Sequence, residues 1–310
     1  MSTQEVKYAV FTEDYRDSFM NYIRNKKPAN EIMESVNTSA GGYRLPAKSE
    51  ASLKAALRNE SVFRHLATIY EVRNCGHQML AKQTNDVAVW TAEHNGVPLG
   101  DAMKDFTTYP MEAYKLGVFF MLRQDFLSDA QFNVEQFIIK RLALNFGKAE
   151  NNAFLNGDGE GKPIGILNEK GGAEIGVTTA AITYDDVIKL YFSAKPEYRK
   201  HGVWMMNDET AVVLRTLKDK DGNYLWNSNN DTILGKSVVY NEYMPSIGAS
   251  TKPIAFGDFS FYTIVVREGI CIRSLTETLP SILDVGYLSY QFLDGKLIRP
   301  EAIKVLQMSA

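Results

Sequence analysis

Apolar positions along this chain keep helical spacing in some stretches and alternate in others. Between Ala51 and Ala67, the residues Leu53, Leu57, Val62, Phe63 and Leu66 recur at roughly helical intervals, and Ser61 stands where it caps a second short helix. The segment QMLAKQTNDVAVW then alternates toward a strand, EHNGVPLGD carries turn chemistry, and FTTYPMEAYKLGVFFML returns as a second extended stretch. This predicts a long hairpin. A two-stranded ribbon is marginal in water, so a sheet, a helix or another chain must cover it. Next, Ser128 and Asp129 offer an N-cap to a long helix from Gln131 to about Leu155, with Val134, Phe137, Ile138, Leu142 and Phe146 on one broad face. The helix is expected to stop at Asn156-Gly157.

The flanking regions read differently. Residues 1–50 hold one weak amphipathic stretch, Tyr15 to Arg24, and otherwise little periodicity, so they are expected to form an arm without a core of its own. After the long helix come a helix near Tyr184 to Ala194 and another over Asp208 to Lys218. Short apolar strands stand at Gly202 to Met206, Ser237 to Tyr240, Pro253 to Phe256 and Tyr262 to Arg267. The chain closes with Tyr287 to Leu293, a hairpin turn at Asp294-Gly295, and extended residues to Met308. Helices mixed with non-alternating strands indicate an α+β fold.

Composition narrows the class. The 310 residues are 45% hydrophobic and 23% charged, which suits an ordinary globular core. With 34 basic and 37 acidic side chains the net charge is only -3, so nothing in the totals suggests a nucleic-acid groove or a membrane-binding face. Cys75 and Cys271 stand in neither a metal-ligand nor a redox spacing and read as free thiols. Glu5, Glu13 and Asp14 stand where a signal peptide needs a basic start. The apolar run Leu116 to Leu122 is too short to span a bilayer.

The stretch with the most suggestive chemistry is NGDGEGKPIGI, Asn156 to Ile166. A phosphate loop needs a glycine at 156 and a hydroxyl after the lysine, where this chain has Asn156 and Pro163. Asn156, Asp158, Glu160 and Gly161 match the opening of a calcium loop, but its closing bidentate glutamate is Leu167. Gly157, Asp158, Gly159, Gly161, Pro163 and Gly165 therefore read as a tight structural turn ending a helix. Elsewhere Cys75 and His77 make an isolated pair that forms no metal site. Glu93 and Asp101 flank the hairpin tip as a solvated pair, and no serine or cysteine stands in a nucleophile motif. Trp90, Tyr109, Tyr114, Phe119 and Phe120 lack interleaved basic residues and read as buried or interface surface. No catalyst, cofactor or metal is expected.

Taken in order, the strings resemble the major capsid proteins of tailed bacteriophages, with the Hong Kong phage capsid fold, from about Ser39 to Ala310. SAGGYRLP with NESVFRHLATIYEV resembles the family's arm and entry helix. VAVWTAEHNGVPLGDAMKDFTTYPMEAYKLGVFFMLRQDFLSD resembles its extended loop and the approach to its spine helix. FLNGDGEGKPIGILN resembles the turn at the end of that helix. NDETAVVLRTLKDKDGNYLW, ILGKSVVYNEYMP and IAFGDFSFYTIVVREG resemble the central domain, and DGKLIRPEAIKVLQ the closing strands.

The resemblance implies an N-terminal arm (1–50), a first part of a peripheral domain (51–77), an extended hairpin loop (78–115) and the peripheral domain with its spine helix (116–175). A central, axial domain (176–270) and closing peripheral strands (271–310) follow. Trp90, Glu93, Gly96, Pro98, Phe106 and Tyr109 are then interface residues of the extended loop. It further implies a non-enzymatic shell of pentamers and hexamers, in a virion assembled in the host bacterial cytoplasm. The shell encloses double-stranded DNA without sequence-specific binding and works with scaffold, portal and decoration proteins. Many members begin with a cleaved scaffolding region, whereas this chain starts almost at the arm: either a separate scaffold serves, or the chain is the mature product. Some relatives crosslink a loop lysine to an asparagine. Here Lys82 and Lys104 offer amines and Glu277 a carboxylate, but no asparagine follows Asn241, leaving Gln291 or Gln307 as poor substitutes. The alternatives are an encapsulin-like nanocompartment shell of the same fold and, farther off, a small-ligand enzyme or binding protein using the glycine turn.

Overall fold

A computed structural model describes residues 9–26, 30–34, 41–72, 78–82, 106–129, 131–218, 231–275 and 284–310, with 36, 221, 224 and 226 as single positions. The N-terminal segment departs from the expected coreless arm. Helix α1 (Glu13–Ile23) starts where the Thr12 hydroxyl accepts the Tyr15 amide at 3.2 Å, and it buries Tyr15, Phe19 and Ile23, which share one face at four-residue spacing. The Tyr15 hydroxyl donates to the Arg44 carbonyl and the Tyr287 hydroxyl to the Ile23 carbonyl. Aromatic area, rather than long periodicity, ties this segment into its own chain's core. A short helix α2 (Glu31–Glu34) and strand β1 (Tyr43–Arg44) lead into the body.

Helices α3 (Ala47–Glu60) and α4 (Val62–Leu66) match the sequence reading. Ser61 lies between them, but its hydroxyl donates to Asn151 Oδ1 at 3.3 Å instead of capping α4. Strand β2 (Thr68–Val72) follows. Strands β3 (Gln78–Lys82) and β4 (Phe106–Pro110) pair antiparallel as the base of the hairpin, with no third strand beside them among the described residues. The second extended stretch divides: Met111 is buried, and β5 (Tyr114–Arg123) joins a different sheet.

Helix α5 (Gln124–Ser128) takes up the expected cap, with Asp129 closing it. The long helix α6 (Val134–Asn156) starts later, where the Asn133 side chain accepts the Gln136 amide at 3.0 Å. Arg24 fixes this approach by donating to the carbonyls of Leu127, Asp129 and Phe132.

After strand β6 (Glu174–Thr179), helix α7 (Tyr184–Ser193) opens with a Thr183–Asp186 capping box, and α8 (Pro196–Lys200) leads to β7 (Val203–Met206). Helix α9 (Asp208–Arg215) is capped by Asn207. Strands β8 (Thr232–Ile233), β9 (Lys236–Tyr240), β10 (Ile254–Gly257), β11 (Tyr262–Leu275), β12 (Asp284–Leu297) and β13 (Ile303–Met308) complete the chain.

Besides the β3–β4 pair, two larger sheets form among the described residues. One runs β1-β11-β12-β5 with β2 alongside β11, and the other runs β6-β13-β10-β7-β9-β8. The expected hairpin turn at Asp294-Gly295 does not occur. Both residues lie inside β12, opposite Val265 and Ile264. Gly295 serves close packing instead, since a Cβ there would come 2.6 Å from Tyr262 Oη and 2.9 Å from the Phe154 ring. The chain reverses after Leu297, through the short helical turn Pro300–Ala302.

Apolar side chains form three clusters. The first joins α1, α3 and α6 to the outer half of the first sheet, and the second gathers Phe63, Phe154, Phe259 and Tyr262 where α6 ends. The third packs Leu190 of α7 with Trp204 and Phe256 of the second sheet.

Candidate assembly site: the glycine turn and the hairpin root

The end of α6 is a compact knot of backbone. Gly157 N donates to the Ala153 carbonyl at 2.9 Å, and the chain then folds back so that Gly165 donates to Gly157 at 2.9 Å, Ile166 to Phe154 at 2.8 Å and Leu167 to Leu155 at 2.9 Å. Two glycines are required here by proximity. A Cβ on Gly157 would sit 2.0 Å from the Pro163 carbonyl oxygen, and one on Gly165 would sit 2.3 Å from that of Leu155. Gly157 has φ of -66°, so it is not a left-handed cap. The positive φ values fall at Gly159 (85°) and Gly161 (69°). Pro163 is buried under the turn.

The same knot explains why the turn is not a phosphate cradle. The amides of Gly157, Gly165, Ile166 and Leu167 are committed to backbone carbonyls, Ile164 donates to Gly295 at 3.2 Å, and Glu160 donates to Asp158 Oδ1 at 3.0 Å. Lys162 pairs with Asp158 at 3.1 Å. The Glu160 amide first, and then Lys162, hold the Asp158 carboxyl below its ordinary range. A phosphate here would have to compete with the Asp158 carboxylate for both the Glu160 amide and Lys162.

What the knot does hold is the root of the hairpin. The Tyr114 hydroxyl donates to the Gly159 carbonyl at 2.8 Å, Asp294 Oδ2 accepts the Glu112 amide at 2.8 Å, and Lys296 Nζ donates to the Pro110 carbonyl at 3.0 Å. Beneath them Tyr262 Oη donates to the Ile164 carbonyl at 2.8 Å, and its ring packs on Phe63 and Phe154 with centroids 5.4 and 5.5 Å away. Burial pushes the Asp294 carboxyl up, against the pull of the Glu112 and Gly295 amides and of Lys296. Burial likewise pushes the Tyr114 phenol up to about 12. Asp294 is buried, where a hydrogen bond is strong and expensive to leave unmade, and Tyr114 is half-buried.

A second buried polar group crosses the body. Arg64 makes two 2.7 Å bonds to the Glu150 carboxylate, and Gln291 Nε2 donates to Glu150 Oε1 at 2.7 Å. This locks α4, α6 and β12 together. Sequence reasoning missed it, because its members lie 86 and 141 positions apart and no local pattern marks them. It also withdraws Gln291 from any crosslink, since that amide is buried within its own subunit.

The structure brings all six residues of the turn together. Of the expected loop residues, Phe106 lies opposite Lys82 in the ladder and Tyr109 opposite Met79, with Tyr109 half-buried. Trp90, Glu93, Gly96 and Pro98 lie outside the described residues, as do Cys75, His77, Asp101, Lys104, Glu277 and most of DKDGNY. Phe119 and Phe120 part across β5: Phe120 is buried against the Tyr287 ring, and Phe119 is 51% exposed beside Met121. Among the described residues no helix is long and apolar enough to cross a membrane.

The described residues thus form a body of two large sheets, with the β3–β4 pair tied to it beside Pro110. The pattern of the phage capsid family matches residues 41–308. The chain is 22% identical over 255 residues to the major capsid protein of Klebsiella oxytoca phage phiKO2, covering 76% of this chain and 58% of that protein's length. The solved capsid of a native GTA particle, computed with C5 symmetry, is 26% identical, with 81% of this chain and 91% of the other covered and a TM-score of 0.67. A structure from Gordonia phage Cozz, at 13% identity, covers 81% and 87% with a TM-score of 0.57 and shares the fold. This chain belongs to the phage capsid family, whose members are structural proteins rather than enzymes. The nanocompartment alternative is not favoured by these matches.

Proposed function

We propose that this chain is the repeating subunit of a phage head, assembling through pentamers and hexamers into an icosahedral shell around double-stranded DNA. The observation that carries the reading is the clamped root: β3 and β4 pair only with each other among the described residues, the chain at the end of β4 and just after it is tied to the body at Pro110, Glu112 and Tyr114, and a two-stranded ribbon needs a further surface to cover it. Head-to-tail contacts of this kind close into rings when the rotation permits. The five-fold symmetry of the related GTA capsid supports it. In the same reading the domain plan is an N-terminal segment (1–50) packed on its own subunit, a peripheral domain (51–77, 116–175 and the β11–β12 pair), an extended loop (78–115) and a central domain built on the second sheet, β13 included. The six turn residues set the loop's angle, Trp90 to Tyr109 contact the neighbouring subunit, and scaffold, portal and decoration proteins complete the particle. Sedimentation velocity over a wide concentration range tests this. Discrete large species are expected, and a single monomer boundary throughout, with scaffold supplied, would contradict it.

A further inference from the structure

The solvent face of α6 carries charge of one sign. Lys140, Arg141 and Lys148 are exposed there, whereas both carboxylates of the helix are withdrawn: Glu135 bonds Arg16 and Ser49, and Glu150 is buried against Arg64. Helix α3 runs parallel beside it. Ser49 reaches Glu135 at one end, and Asn151 Nδ2 donates to the Glu60 carbonyl at 3.1 Å at the other. Helix α3 adds exposed Arg58 and a flat flank of Ala51, Ser52 and Ala55, with Glu60 as its exposed carboxylate at the far end. Arg58, Lys140, Arg141 and Lys148 form no ion pair among the described residues. Arg141 lies over the Phe120 ring at 5.6 Å and keeps its charge.

Two other helices show the opposite balance. Helix α1 exposes Glu13, Asp14 and Asp17, and α9 exposes Asp208 and Glu209. In a chain of net charge -3, four unpaired cations on two adjacent helices are a segregation that the totals conceal.

We propose that the α3–α6 face is where the subunit meets the phosphate backbone of duplex DNA, a partner that rests on the shell reading above. Each phosphate neutralised releases counterion, and lysines and arginines without base-reading geometry carry no sequence information. About four contacts give a binding slope of roughly -3 to -4 against the logarithm of salt concentration. Such a contact is weak for one subunit at physiological salt, so DNA can slide during entry and exit. Repetition over a shell makes it count.

The test is fluorescence anisotropy of a labelled duplex of about 30 base pairs with the purified, unassembled chain, from about 20 to 200 mM salt. Salt-sensitive binding is expected. The double variant K140E/K148E should bind at least tenfold more weakly at low salt and lower the slope by about 2. The control K195E/K200E, on exposed positions at α8, should bind as the unmodified chain does. Circular dichroism confirms that each variant folds. Equal loss in the control, or no salt-dependent binding at all, overturns the proposal. So does a K140E/K148E variant that keeps its DNA affinity but no longer assembles, which would make this face a contact between subunits. Because binding is read on the free chain, failure to form shells counts against the shell reading alone.

Discussion

The Tyr114 hydroxyl and the Gly159 carbonyl meet at 2.8 Å, and this bond joins the root of the hairpin to the turn that ends the long helix. Tyr114→Phe removes only that oxygen. The body should lose about 1 kcal/mol, the usual net worth of one such bond. Amides of residues 106–114 should exchange faster in hydrogen-exchange mass spectrometry, while those of α6 keep their protection. Unchanged exchange at the root would mean that Asp294 and Lys296 hold it without Tyr114.

Within the turn, damage should follow geometry rather than charge. Gly157→Ala forces a Cβ to 2.0 Å from a carbonyl oxygen and should abolish soluble protein or cost several kcal/mol. Gly161→Ala meets nothing within 4 Å and carries only the positive-φ penalty, about 1 kcal/mol. Lys162→Ala, which breaks an exposed pair, should be nearly neutral in thermal melts. Finding Lys162→Ala the most damaging of the three would reopen an anion role for the turn.

Glu150 sits fully buried between Arg64 and Gln291. Glu150→Ala strands the Arg64 charge in the core and should destabilise by roughly 3 kcal/mol or more. A urea midpoint close to that of the unmodified chain would show the network to be dispensable.

Deleting residues 1–24 removes Tyr15, Phe19 and Ile23 from the first apolar cluster and leaves Tyr287 without its acceptor. At about 1.5–3 kcal/mol per buried large side chain, the loss should be on the order of 5 kcal/mol. Denaturant melts that match the full chain would restore the segment to the status of a detachable arm.

Asp186 sets a pH dependence. Burial pushes its carboxyl up, but the Thr183 hydroxyl and amide and Lys189 outweigh this, and the net shift is downward. A carboxylate lowered in the native state adds stability above its unfolded value and loses it as pH falls through the native one. Asp186→Ala should therefore melt lower at neutral pH, by about 1 kcal/mol. The gap should close in acid, below the ordinary aspartate range. A gap that is constant with pH would rule out the ionised form as the source.

Much of this architecture was legible because local chemistry agrees with the fold. The end of α6 at Asn156, the strands β7, β9 and β10 and the glycine turn all follow from spacing, turn residues and short apolar runs. Two readings failed, and one contact could not be read at all, for nonlocal reasons. Tyr15, Phe19 and Ile23 look too sparse to make a core until β12 and α6 supply the other wall. Asp294-Gly295 has turn chemistry, but the glycine is there to let Tyr262 and Phe154 approach. The clamp at the hairpin root joins residues 45 and 182 positions apart, beyond the reach of any periodicity.

Negative-stain electron microscopy of the purified protein tests the central claim most directly. The account predicts five- and six-membered rings, with closed shells when assembly partners are supplied. A field containing only particles the size of one 34.8 kDa chain, across concentrations and with those partners present, would contradict it.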